Sequence, residues 1–317
     1  MNRILLGGLF SSFALASLVA SQTSETLIHQ GDALVGIGAL DALENVLVND
    51  RGTWLAHARS NFPNIASDEV LLRSGFVTLR EGTALFAPSG AFLGAFHSLA
   101  LNDAGHLALS ADLGGVPTAN NSGLFWNTLI LLQEGTPVGV PALGTRIWTG
   151  FGTLRMNGAG TILALAKTRE ASATGAGEDA LVRLSVGATG ELLSREILLR
   201  KGDALAAAFG DTLVSFAPAE HALALNERGE HLELVKLTAT GWAWLRDGNT
   251  VLAQDSFPSP LPDVPWRTLQ NIPRCALNDF GDHAYTGALE TPDNRDVIVK
   301  NGALFVRKGD VLPALAP

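Results

Sequence analysis

Two pairs of residues carry the strongest chemical signal in the chain. His231 and Glu233 stand two apart, as do His283 and Tyr285, and both pairs fall in short stretches of alternating apolar sequence. An imidazole beside a carboxylate can hold a metal ion or move a proton. A second set emerges when each of five recurring Asn-x-x-Gly motifs is used as a ruler. The position five before the Asn holds Glu44, His97, Gly152, His221 and Pro273. If that position lines a central channel, Glu44, His97 and His221 are candidate cation ligands. No metal can be assigned from these residues, and no cofactor is expected, although a divalent cation is not excluded. The alternative reading is that both sets are internally satisfied core or surface groups, because polar residues in an apolar register are costly unless paired.

The ruler itself defines the architecture. The Asn recurs at Asn49, Asn102, Asn157, Asn226 and Asn278, with the Gly at Gly52, Gly105, Gly160, Gly229 and Gly281. A second landmark keeps the same rhythm: HQGD at 29–32, REGT at 80–83, QEGT at 133–136, RKGD at 200–203, a degenerate AQDS at 253–256, and RKGD at 307–310. Self-similarity at this period marks a repeat architecture. One long interval, between Asn157 and Asn226, contains the Gly/Ala-rich stretch REASATGAGEDA at 169–180, read as an inserted surface loop.

Each unit reads as four short strands. In the second unit these are HSLALN, HLALSADL, SGLFWN and LILLQEGT. Asn opens the turn between the first two because its side chain can bond backbone two residues on, and Gly closes it where positive φ is needed. These ten Asn and Gly residues are therefore read as structural turn residues. Ser74-Gly75, Asp247-Gly248 and Asn301-Gly302 mark hairpins between the third and fourth strands. The expected fold is all-β, a β-propeller of about five four-stranded blades, with an open β-repeat array as the alternative. Six copies of the fourth-strand landmark for five units leave TLIHQGDAL at 26–34 and LFVRKGDVL at 304–312 competing for one blade edge.

The repeats resemble the NxxGxxAF tandem repeat of exported bacterial proteins. There an Asn-x-x-Gly turn precedes a small-aromatic strand, and a later segment is similar to QEGTPVGVP at 133–141 and RKGDVLPAL at 307–315 here. The Ala-Phe pair is mostly replaced, by LAL, LEL or AYT. The resemblance implies export and propeller-like β architecture, and no activity.

The first 21 residues read as a signal peptide: Arg3, an apolar run from Ile4 to Val19, and small residues before Gln22. The expectation is an exported protein, periplasmic or extracellular, forming one domain over residues 22–317 and not inserted in a membrane after cleavage. A single cysteine, Cys275, excludes an internal disulfide, and its repeat position reads as a buried, inert thiol. The net charge of −9, with basic residues scattered, excludes nucleic acid as a partner. There is no Gly-x-Ser-x-Gly, His-Glu-x-x-His, phosphate-binding Gly loop or EF-hand pattern. Trp126, Trp242 and Trp244 fall on third strands, whereas Trp148 and Trp266 precede first strands and are read as loop platforms for sugars. The expected function is a non-catalytic binding scaffold whose partner is a glycan or a cell-surface protein. The alternative is a glycan hydrolase or lyase working at the channel mouth.

Overall fold

The computed structural model describes residues 27–310 except 65–66, 209 and 292–295. The signal-peptide reading and the last residues of the RKGDVLPAL segment lie outside the described residues. Five antiparallel sheets form a five-bladed β-propeller. Blade one comprises Gly38–Val48, Trp54–Ser60, Glu69–Arg73 and Phe76–Arg80; blade two Phe92–Leu101, Leu107–Gly114, Ser122–Trp126 and Leu129–Gln133; blade three Arg146–Met156, Thr161–Glu170, Glu178–Val186 and Leu192–Arg200. In blade four the first strand is split into Asp211–Phe216 and Leu223–Leu225, followed by His231–Leu237, Gly241–Arg246 and Thr250–Gln254. Blade five is split likewise, into Trp266–Thr268 and Cys275–Leu277, followed by His283–Leu289, Asp296–Lys300 and Ala303–Arg307. The Gly/Ala-rich stretch contributes less loop than its composition suggests: strands take both its ends and leave 171–177 between them, with 171–176 exposed. Among the described residues no helix is long and apolar enough to cross a membrane.

The Asn-x-x-Gly turns behave as their chemistry predicts. All five closing glycines have φ between 76° and 85°. In the first turn Asn49 Oδ1 accepts from the backbone N–H of Arg51 at 3.2 Å and of Thr53 at 2.8 Å. The same amide does a second job that the turn rule does not foresee. Asn49 Nδ2 donates to the carbonyl of Asn102, Asn157 Nδ2 to that of Asn226, and Asn226 Nδ2 to that of Asn278, at 2.9–3.1 Å. Each of these three turns therefore closes its own hairpin and ties itself to the next blade. The following residue adds a second tie: Asp103, Glu227 and Asp279 accept from the backbone N–H of Asp50, Gly158 and Glu227 respectively. At the seam between blades two and three that position is Gly158, which has no side chain to accept, and the Asn102 amide N–H has no partner among the described residues. Two serines work there instead. Leu154 N–H donates to Ser98 Oγ at 3.1 Å, and Ser110 Oγ–H donates to the Gly152 carbonyl at 3.0 Å.

Alternation along each second strand fills the seams. The residues three and five after the turn Gly face the next blade; those two and four after it face the preceding one. Leu55 thus packs with Leu93, Leu99 and Leu109 between blades one and two. Trp126, Trp148 and Ile162 fill the next seam, Leu163, Leu181 and Val235 the one after, and Trp244, Trp266 and Tyr285 that between blades four and five. Each fully buried leucine contributes about 2 kcal/mol by removal from water. Trp148 and Trp266, expected as exposed loop platforms, are 0% and 2% exposed. Each is clamped by the linking turn before it: Trp148 N–H donates to Thr136 O and Trp266 N–H to Phe257 O, which turns the indoles into the seams.

The six landmark copies are accommodated without competition. Each of the first five is a linking turn that pairs with the start of the following first strand, as Gly82 N–H does with Leu93 O and Gly135 N–H with Trp148 O. The first copy does only this. Gly31 N–H donates to Leu40 O, and of the expected strand at 26–34 just Ala33–Leu34 is a strand, paired within blade one. The last copy follows Ala303–Arg307, which takes the outer edge of blade five. The fifth seam is packed differently from the others. Leu71 and Leu79 on the outgoing face of blade one are buried, whereas Ile298, in the same register on blade five, is 38% exposed.

Candidate functional site

The two pairs that opened the sequence reading lie in different seams. His231 and Glu233 are two and four residues after Gly229 and face blade three; His283 and Tyr285 occupy the same register on blade five and face blade four. The sheet of blade four lies between them, so they form no common site.

His231 and Glu233 are almost fully buried, with Nε2 and Oε2 3.5 Å apart. The Asp247 carboxylate lies 3.2 Å from His231 Nδ1. Its primary role is in the turn: Asp247 Oδ1 accepts from the His231 backbone N–H at 2.8 Å, as Asn127 does from Leu107 and Asn301 from His283. Glu233 Oε1 accepts from Gly248 N–H at 2.9 Å. Burial pushes the imidazole down to about 4 and the Glu233 carboxyl well above the usual carboxylate range. Burial thus disfavours the charged form of both groups, a poor state for a charged ligand set. In the other seam Tyr285 Oη donates to Leu252 O at 3.2 Å, and its ring stacks parallel to that of His283. Burial raises the phenol to about 12 and lowers His283.

The proposed channel ring is likewise divided. Glu44 pairs with Arg59 at 3.2 Å within blade one, and His97 with Asp112 at 2.8 Å within blade two. His221 lies in the break of blade four's first strand, where burial and the Arg274 and Arg155 charges lower its pKa. The Cys275 thiol is directed at the His221 carbonyl, 3.5 Å away, and burial raises it to about 12. Among the described residues no group of three or more His, Cys, Asp or Glu is arranged to hold a metal ion.

Sequence reasoning missed the groups that meet across the axis. Asn45 of blade one donates to both carboxylate oxygens of Glu220 of blade four, at 3.0 and 3.2 Å. Arg155 of blade three lies 3.8 Å from the same carboxylate and donates to the carbonyls of Leu223, Leu154 and Glu220. Glu69, also missed, is buried at the first seam, where it accepts from Phe96 N–H at 2.8 Å and meets His57 and Arg59. The His57 and Phe96 bonds and the nearby charges outweigh burial and hold its carboxyl below the usual range.

One open space is a cleft of about 280 Å³ between blades three and four, and another of the same volume lies on blade five, beside Ile298. The floor of the first is the stretch Gly150-Phe151-Gly152, where the first strand of blade three slips register twice against Thr161–Glu170. A side chain at Gly150 would meet nothing within 4 Å, so the missing Cβ atoms help to make the space. Leu165, Phe216 and Pro218 wall it, while the Phe151 ring packs against Trp148 in the neighbouring seam; the Lys167–Asp179 pair stands at its rim, 2.9 Å apart. The second half of the cleft exists because blade four's first strand breaks after Phe216. The available signal was Gly-Phe-Gly inside a strand, a pattern that marks bulges and close backbone approach.

Fold and cleft define a five-bladed β-propeller with a recess between blades three and four. The chain belongs to a family of unknown function, DUF7453, whose profile matches residues 16–316. A comparison with curated proteins finds no match.

Proposed function

We propose that this chain is an exported, non-catalytic binding scaffold that takes its ligand in the cleft between blades three and four. The observation that carries this reading is a contrast within one molecule. Glu44, His97 and Glu220, the candidates nearest the axis, are each held by a partner within the protein, whereas the Gly150–Gly152 bulge leaves a lined, solvent-reaching cleft. Its volume is near the lower end of small-molecule pockets, and its mostly apolar wall with a few polar groups at the rim matches how such pockets are built.

The test is a ligand-observed NMR screen of small amphipathic compounds, run in parallel on the native chain and on Gly152→Leu. A Cβ at Gly152 would meet only Leu165, at 3.6 Å or beyond, so the leucine can enter the cleft without displacing backbone. Binding is expected to the native chain and to be lost in Gly152→Leu at unchanged melting temperature. Equal binding to both would move the site away from the cleft.

A further inference from the structure

The cleft also constrains what can occupy it. Its charged lining groups are Lys167 and Asp179. They are direct cross-strand partners on the second and third strands of blade three, and their side chains remain 52% and 26% exposed. Positive and negative charge therefore stand side by side at the mouth of an apolar recess. A ligand with one charge meets a conflict there. A carboxylate drawn to Lys167 comes against Asp179, and an ammonium drawn to Asp179 comes against Lys167; like charges in contact disfavour binding. A neutral polyhydroxyl ligand would need several hydrogen-bonding partners, and beside the ion pair Thr153 is the one side chain of the lining that could supply one. A ligand with adjacent ammonium and carboxylate groups and an apolar body satisfies every wall at once. Its two charges complete an alternating square with the exposed ion pair, which is itself weak and readily shared.

We propose that the cleft binds a small zwitterion, a free α-amino acid with an apolar side chain. The carboxylate sits on Lys167, the ammonium on Asp179, and the side chain lies against Leu165 and Phe216. This inference rests on the cleft being the binding site.

The experiment is calorimetric titration of the chain from Gln22 with leucine and phenylalanine, with their amides (cation only) and with their N-acetyl derivatives (anion only). The free amino acids are expected to bind at least tenfold more tightly than either derivative. Lys167→Met and Asp179→Asn should each weaken the free amino acid by a similar factor while leaving the melting temperature in place, since the pair is a surface one. Equal binding of the amides or the N-acetyl forms would overturn the zwitterion assignment and leave the cleft standing. No heat from either amino acid at millimolar concentration would overturn it too, and the compound screen would still judge the cleft. Undiminished amino-acid binding to Gly152→Leu would overturn the cleft itself.

Discussion

The Glu220 carboxylate receives both of its Asn45 hydrogen bonds from a residue 175 positions away, on a blade that is not its neighbour in the ring. Blade four touches blades three and five, yet its Glu220 reaches blade one across the axis, with Arg155 of blade three beside it. Among the described residues the fifth seam lacks the Asn tie: Asn278 Nδ2 donates to Asp282 within its own turn instead of to the next Asn carbonyl. The axial contact is therefore a closure of the ring from the inside.

Removing that closure should loosen blade one first. Asn45→Ala is expected to cost about 1 kcal/mol, a charge-assisted bond reduced by the partial exposure of Glu220. Hydrogen exchange should show faster exchange in Gly38–Val48 than in the first strand of blade three. Equal acceleration throughout the chain would mean that the contact does not act on blade one in particular.

The Asn residues should differ in worth according to their second bond. Asn157→Ala loses the turn acceptor and the tie to the Asn226 carbonyl, which keeps only the Gly229 N–H, about 2 kcal/mol. Asn278→Ala loses mainly a local turn, about 1 kcal/mol. Asn157→Asp keeps the acceptor but not the donor, and should behave almost like the alanine variant. Chemical denaturation of the three variants gives the order directly; identical losses for Asn157→Ala and Asn278→Ala would reduce the motif to a turn.

The His231–Glu233 pair sets two pH limbs of opposite sign. His231, about 4 when folded against about 6.5 unfolded, contributes fully above pH 6.5, and that contribution is lost as pH falls toward 4. Glu233, raised by burial, contributes fully below its unfolded value and loses that contribution as pH rises through its folded value. Melting temperature against pH should therefore lose part of its acid limb in His231→Gln and part of its alkaline limb in Glu233→Gln. The reverse assignment of limbs would show that the pair is ionised in the fold.

Cys275 should resist chemistry at neutral pH. With the thiol raised to about 12, a disulfide-exchange reagent at pH 8 is expected to react far more slowly with the folded chain than with the same chain in denaturant. Comparable rates would place a thiolate in the fold.

The repeat rhythm, the four strands per unit and the turn chemistry at Asn49 to Gly281 were legible because each depends on local dihedral needs and on alternation. Trp242 and Trp244 were placed on a third strand for the same reason. What was not legible depends on which residues meet across a seam. The +2 and +4 positions of neighbouring blades looked like one cluster at His231, Glu233, His283 and Tyr285, but alternation aims the two pairs into seams on opposite sides of blade four. Trp148 and Trp266 looked like loop residues because the linking turn that pairs with them lies nine or more positions earlier. Asn45, Glu220 and the cleft follow from bulges and breaks in first strands, where register shifts leave no periodic trace.

The account turns on where a ligand sits. The most direct measurement is an amide chemical-shift map of the chain from Gln22, titrated with the strongest binder from the compound screen. The cleft assignment predicts the largest shifts at Gly150, Phe151, Gly152, Lys167, Asp179 and Phe216. Shifts centred instead on the axial residues Asn45, Arg155, Glu220 and His221 would contradict it and return the function to the channel.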